Sequence, residues 1–166
     1  IEDVFTKRRI VLVSLAKGLL GPEAAALLGS LIVSQLWQAA LGRVRIAPER
    51  RHPVMVYVDE FQDYLHLPTD LTDVLTQARG LGVGLTLAHQ HMAQLPPAMR
   101  SAVMANARSR VVFQLGYEDA RVIAGMGRKL SADDLQGLPR YEAYASLVTG
   151  GEVTPWASIR TAAPEP

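Results

Sequence analysis

One short apolar segment that ends in two acids constrains the fold more than any other part of this sequence. Val54 to Val58 form a continuous apolar run, and Asp59 and Glu60 follow it directly. A run of this length and composition is typical of a strand that is buried on both faces. It predicts a strand at 54–58 that carries two adjacent carboxylates at its carboxyl end.

Further apolar runs predict strands, and segments of helical pattern separate them. The predicted strands are 9–16, 83–88 and 110–115, and the predicted helices are 22–41, 69–79, 96–107, 117–125 and 131–136. Helix 22–41 is apolar on most faces, which predicts packing on all sides. Ser131 and Asp134 have the spacing of a capping box. Residues 141–148 and 152–159 predict an antiparallel hairpin around Gly150 and Gly151.

Alternation of strands with helices indicates βαβ units. The predicted fold class is therefore α/β, with a mainly parallel sheet, helices on both faces and a C-terminal antiparallel hairpin. We expect one domain over residues 1–160 and a flexible tail at 161–166.

Composition excludes some classes of function. Lys and Arg number 17 against 16 Asp and Glu, so the net charge of +1 makes no case for nucleic acid from bulk charge. The chain has no cysteine, which excludes disulfides and thiolate metal sites.

Ligands of open α/β sheets bind outside the carboxyl ends of the strands. The acidic pair lies at such a position: Asp59 could hold Mg²⁺ through its water shell, and Glu60 could orient or deprotonate a water that attacks a phosphate. The alternative is a solvated acidic pair, or a cap for the segment that follows.

Two more polar residues belong to this pattern. Gln90 follows the predicted strand 83–88 and could bond both a water and a phosphate oxygen; alternatively, it is an ordinary surface residue. Arg79 ends the predicted helix 69–79, where its guanidinium could neutralise phosphate charge bound by a neighbouring subunit. Its alternative role is to stabilise the helix dipole.

The order of these motifs is similar to that in a known family. It resembles the C-terminal part of the RecA-like motor domain of the FtsK and HerA superfamily of ATPases, and within it the TraG/TraD-like coupling proteins of conjugative DNA transfer and type IV secretion. The resemblance extends from Arg9 to about Val148. Its motifs are VMVYVDEF at 54–61, QARGLGVGLTLAHQ at 77–90, NARSRVVF at 106–113 and GYEDARVIA at 116–124.

The resemblance implies a DNA-translocating ATPase that uses ATP and Mg²⁺. It implies that Asp59 is the Walker B acid associated with the metal, Glu60 the catalytic glutamate, Gln90 the sensor glutamine and Arg79 an arginine finger acting in trans. It also implies DNA as a partner and a hexamer. The family works in the cytoplasm or at the cytoplasmic face of the inner membrane, together with secretion machinery.

One motif of such ATPases is missing from the sequence. No G-x-x-x-x-G-K-[ST] loop is present, and that loop supplies most of the phosphate contacts. We expect it upstream of this segment in a longer protein, and we expect the segment alone to be inactive. Two alternatives stay open: a non-catalytic scaffold or oligomerisation domain with a motor-like fold, and a VirB4-like ATPase that powers protein secretion.

Overall fold

The structure is a computed structural model that describes residues 2–65, 71–127 and 130–163. The chain divides into two compact units, Ile1–Asn106 and Ala107–Pro166, where the sequence predicted one domain over 1–160. The strand pairings account for this division, because each β-sheet is formed by strands of one unit alone. The predicted tail at 161–166 includes residues 164–166, which lie outside the described ranges.

Unit 1 is built from helices around a short parallel sheet. In chain order its elements are α1 (Glu2–Thr6), α2 (Lys17–Leu20), α3 (Pro22–Gly42), β1 (Val54–Val58), α4 (Leu71–Ala78), β2 (Val83–Leu87) and α5 (Pro97–Asn106). Strands β1 and β2 are parallel, with Val54 opposite Val83 and Val58 opposite Leu87. Both strands and the helical connection between them were predicted. Residues 69 and 70, the predicted start of that helix, lie outside the described residues.

The core of unit 1 lies on one face of this sheet. Val54 and Val83 pack there with Trp37 and Ala40 of α3 and with Val74 of α4. A second cluster at the carboxyl ends of the strands contains Phe61, Leu65, Leu95 and Met99.

On the opposite face of the sheet, Met55 and Tyr57 are 57% and 73% exposed. Among the described residues of unit 1, α3 and α4 therefore cover one face of the sheet, where the sequence predicted helices on both.

Helix α3 confirms the predicted helix at 22–41, but the prediction that it packs on all sides is wrong. Its buried positions form a single stripe: Ala25, Gly29, Trp37 and Ala40. Leu27 and Leu31 are 64% and 54% exposed. The segment Pro22–Arg45 is long and apolar enough to cross a membrane, yet its buried stripe packs against the sheet. Composition alone could not separate these environments, since both favour apolar residues.

The strand predicted at 9–16 is also wrong. Residues 7–16 have no regular structure, and Ile10 and Leu12 are 90% and 91% exposed. A strand exists only when its backbone groups pair with a neighbour. None of the described strands pairs with this segment, so its β-branched residues form no strand.

Unit 2 contains antiparallel sheets and two short helices. Its elements are β3 (Arg110–Val112), α6 (Tyr117–Ala124), α7 (Ala132–Gln136), β4 (Glu142–Ser146), β5 (Val148–Thr149), β6 (Glu152–Val153) and β7 (Ala157–Arg160). The three-stranded sheet has the order β3-β4-β7 and is antiparallel throughout.

Strands β5 and β6 form the tip of the predicted hairpin, where Gly150 and Gly151 have φ of 60° and 88°. The predicted α/β class and the C-terminal hairpin are confirmed. The parallel part of the predicted sheet is the pairing of β1 with β2.

The capping box at the start of α7 forms as predicted. The backbone N–H of Asp134 donates to Ser131 Oγ at 3.1 Å, and the backbone N–H of Ser131 donates to Asp134 Oδ2 at 2.9 Å. The Ser131 hydroxyl also donates to Asp134 Oδ2, at 2.7 Å. These bonds, chiefly the one from the hydroxyl, lower the pKa of the Asp134 carboxyl.

Gly29 should not tolerate a side chain. A Cβ there would lie 2.8 Å from Leu15 Cδ1 and closer still to the ring of Tyr64. We expect Gly29→Ala to destabilise the protein by about 1–3 kcal/mol in urea unfolding, because overpacking outweighs the gain in helix propensity. Gly42→Ala is the matched control in the same helix, since nothing lies within 4 Å of its Cβ. Equal effects of the two substitutions would contradict this packing.

The Ser131 cap can be tested through the titration of its partner. Because the folded-state pKa of Asp134 is lowered, the cap stabilises the fold above the ordinary pKa of aspartate and is lost as the pH falls through the folded value. In Ser131→Ala the pKa of Asp134 should rise toward the ordinary value in an NMR titration. Ser131→Thr, which keeps the hydroxyl, should leave it low. An unchanged pKa in the alanine variant would exclude the hydroxyl as the cause.

Candidate functional site

The parallel pairing of β1 and β2 brings the predicted site residues to one edge of the sheet. The backbone pairing continues past both strands: Ala88 N–H donates to Val58 O at 3.0 Å, and Phe61 N–H donates to Ala88 O at 3.2 Å. Glu60 and Gln90 therefore leave the sheet side by side.

The side chains of Glu60 and Gln90 are in direct contact. Gln90 Nε2 donates to Glu60 Oε1 at 2.6 Å. Glu60 is half-buried, and it makes no side-chain cap for the 3₁₀ turn that follows. The Glu60 side chain therefore does not cap the segment that follows, and its carboxylate is not freely solvated. The sequence predicted both residues, and the structure brings them together.

Glu60 occupies an unusual backbone conformation. Its φ of 48° and ψ of 47° lie in the left-handed region, which disfavours residues other than glycine. Two features hold it there. The next residue, Phe61, is fully buried, and the backbone N–H of Glu60 donates to Asp59 Oδ1 at 3.0 Å. In this turn the Glu60 carboxylate contacts Gln90, which follows β2, while Asp59 stays exposed.

Sequence reasoning missed a third residue of the site. Gln62 lies in the 3₁₀ turn Phe61–Asp63, and its Nε2 donates to Glu60 Oε2 at 2.6 Å. Each oxygen of the Glu60 carboxylate thus accepts an amide N–H. Only the position of Gln62 two residues after the acidic pair could have indicated this contact, and that spacing has no fixed meaning without the left-handed turn.

A lysine completes the polar cluster beside the turn. Lys17 Nζ donates to Asp63 Oδ2 at 2.5 Å. This hydrogen bond is the main cause that raises the pKa of Lys17, and the charge of Glu60 contributes to a smaller extent. The contact ties α2 to the turn at Phe61–Asp63. Lys17 directly follows the segment 9–16, for which the sequence predicted a strand, and it begins α2.

The site offers few ligands for a metal ion. Across residues 2–65, 71–127 and 130–163, no three His, Asp or Glu side chains are grouped so that they could hold one. Asp59 is an exposed carboxylate with one oxygen bonded to the backbone, which suits a water-mediated Mg²⁺ contact better than an all-protein cage.

Arg79 lies away from this cluster. It is exposed, directly follows α4 and accepts a backbone hydrogen bond from Gly82, just before β2. Glu60 and Gln90 follow the carboxyl ends of the strands, so the five residues of β2 separate the two edges by about 16 Å. The structure does not bring Arg79 to Glu60 within one chain.

A family comparison covers this region. Residues 53–133 match the family described as the TraM recognition site of TraD and TraG. The matched range includes both strands of the parallel sheet, the acidic pair and Gln90. The sequence-based resemblance to TraG/TraD-like proteins is therefore confirmed. No curated protein matches the chain in sequence.

Solved structures extend the TraG/TraD likeness in fold. The bacterial conjugative coupling protein TrwBdeltaN70, in complex with sulphate, is 19% identical with a TM-score of 0.66, over 84% of this chain and 37% of that chain. TrwB in complex with ADP and Mg²⁺ is 18% identical with a TM-score of 0.61, over 81% and 37%.

A viral protein shows the same fold at lower similarity. The genome packaging NTPase B204 from Sulfolobus turreted icosahedral virus 2, in complex with AMPPCP, is 19% identical with a TM-score of 0.54, over 82% of this chain and 63% of that chain. These likenesses confirm the predicted fold, and the chain spans little more than a third of the TrwB chain.

Proposed function

We propose that this chain is part of an ATP-hydrolysing coupling motor that moves DNA in conjugative transfer or type IV secretion. The observation that carries the proposal is the Gln90 to Glu60 hydrogen bond of 2.6 Å at the carboxyl edge of a parallel strand pair. A carboxylate held beside an amide at this edge is suited to orient a water for attack on a phosphate. The match of residues 53–133 to the TraD and TraG family model supports the same assignment.

The residues divide the chemistry between them. Glu60 is the base that orients or deprotonates the water, and Gln90 contacts both Glu60 and the phosphate side. Asp59 is exposed at the same edge, so its free oxygen can bond the water shell of Mg²⁺. When it is bound, Mg²⁺ would neutralise part of the negative charge of the phosphates.

The phosphate-binding loop comes from outside this sequence. No G-x-x-x-x-G-K-[ST] motif is present, and the chain spans 37% of the TrwB chain that is described with ADP and Mg²⁺. ATP is therefore a ligand of the intact protein, and we expect the isolated segment to be inactive. The missing loop is also what favours the rival assignment of a non-catalytic scaffold.

Arg79 acts between subunits in this proposal. Its position at the opposite edge of the sheet from Glu60 favours a role on a phosphate bound by a neighbouring subunit. A guanidinium that is exposed and directly after a helix can reach a neighbouring subunit of a ring. A homo-oligomer follows from this role, and the family resemblance implies that it is a hexamer.

The partners follow from the family. DNA is the proposed cargo, and the TraM recognition site named for the family indicates a protein partner of the TraM kind. The proposed location is the cytoplasm or the cytoplasmic face of the inner membrane, next to secretion machinery. ATPase stimulation by DNA would separate this motor from a protein-secreting relative.

The role of Glu60 is tested by Glu60→Gln in the full-length protein. The amide keeps the shape of the side chain but cannot accept a proton, so ATP turnover should fall by roughly 10²- to 10⁴-fold. Binding of ATP should persist, as measured by fluorescent-nucleotide titration. Turnover at the wild-type rate would refute the assignment of Glu60. Absence of turnover in the wild-type protein would favour the scaffold.

The role of Arg79 is tested by mixing two inactive variants. Arg79→Ala should lower turnover by roughly 10³-fold or more, as for other arginine fingers. When Arg79→Ala and Glu60→Gln subunits are mixed, about a quarter of the interfaces in a random ring should pair an intact Glu60 with an intact Arg79. ATPase activity should therefore reappear in the mixture. If the mixture stays inactive although mass spectrometry shows mixed rings, Arg79 does not act in trans.

A further inference from the structure

Both oxygens of the Glu60 carboxylate are held by amide groups that come from different elements. Gln90, after β2, donates to Oε1, and Gln62, in the turn after β1, donates to Oε2, each at 2.6 Å. Hydrogen bonds to a charged acceptor at this length are strong. The carboxylate plane is therefore fixed from two sides.

The backbone on which this carboxylate stands is also fixed. Glu60 has left-handed φ and ψ angles, and the buried Phe61 with its N–H bond to Ala88 O prevents the turn from relaxing. The far side of the turn is held by the Lys17 to Asp63 ion pair. Gln62 thus sits between two anchored residues and has a defined position relative to Glu60.

The amide of Gln62 has one orientation that suits its surroundings. Its Nε2 bonds Glu60, while its Oε1 is buried and has no hydrogen-bond partner among the described residues. Rotating the amide by 180° would place Oε1 against the carboxylate, and two acceptors repel each other. The contact with Glu60 is therefore the interaction that determines how this amide is held.

A carboxylate has about four acceptor positions, and the two amides use two of them. Glu60 therefore keeps room to accept a hydrogen bond from a water, in a direction set by the amides. We propose that Gln62 is a positioning residue, which together with Gln90 aims the Glu60 carboxylate at the attacking water. This inference rests on the proposed role of Glu60 as the base.

The test is Gln62→Met in the full-length protein, which removes the donor and keeps the length of the side chain. The turnover number kcat for ATP should fall roughly 10- to 100-fold, as expected when a reacting group loses its orientation, while KM stays unchanged. Gln62→Leu repeats the test with another apolar side chain. Gln114→Met is the matched control, because Gln114 Nε2 donates to the backbone oxygen of Gln136 at 2.9 Å in unit 2.

A double-mutant cycle separates positioning from a loss of stability. Because Gln62 and Gln90 hold the same carboxylate, their methionine variants should not be additive in kcat. Thermal unfolding of Gln62→Met should match that of Gln114→Met. A kcat of Gln62→Met within twofold of the wild type, an increase in kcat, or a loss that follows unfolding would each overturn the proposal.

The positioning role of Gln62 and the proposed role of Glu60 can fail separately. If Glu60→Gln abolishes turnover and Gln62→Met leaves it intact, only the positioning role is lost. If Glu60→Gln hydrolyses ATP normally, the proposed function of Glu60 fails first, whatever Gln62→Met does.

Discussion

The register of the parallel pairing between β1 and β2 is the constraint on which the candidate site depends. With Val58 opposite Leu87, the two strands end together, and the continued bonding of Phe61 to Ala88 carries the alignment into the loops. A slip of one residue would shift one loop by about 3.3 Å and turn the apolar side chains of that strand to the other face. The 2.6 Å contact between Gln90 and Glu60 would then be lost. The hydrophobic core of unit 1 therefore also sets the geometry of its polar edge.

The left-handed conformation at Glu60 shows how that core supports a locally unfavourable turn. Such a conformation costs about 1–2 kcal/mol for a residue with a Cβ. Phe61 follows immediately and is fully buried, and burying a phenylalanine contributes about 1.5–3 kcal/mol. The two magnitudes are similar, so a single buried ring is enough to offset the turn. This left-handed turn allows Glu60 to contact the amides of Gln62 and Gln90, which an extended continuation of β1 would not allow.

Sequence patterns predicted the parts of the structure that local chemistry determines. The apolar runs at 54–58 and 83–88 identified both parallel strands. The rule that ligands bind at the carboxyl ends of strands selected Glu60 and Gln90 as site residues. The segment 9–16 has an equally good strand pattern, but pairing depends on a partner strand that no local pattern reveals. Gln62 was missed for a related reason, since its contact depends on the dihedral angles of Glu60. Arg79 was correctly placed at the end of a helix, directly after α4.

Apolar residues on two parts of unit 1 remain in contact with water. Ile10 and Leu12 in the irregular segment are almost fully exposed, as is most of Tyr57 on the uncovered face of the sheet. Exposed apolar surface of this kind usually marks contact with other protein. Both features are expected of a portion of a larger α/β fold, in line with the 37% of the TrwB chain that this chain covers. The proposed function has the same requirement, because it assigns Asp59, Glu60 and Gln90 to a water and a metal shell, and the sequence contains no G-x-x-x-x-G-K-[ST] loop for the phosphates. The surface that would complete the sheet and the loop that would complete the site are therefore both sought outside these 166 residues.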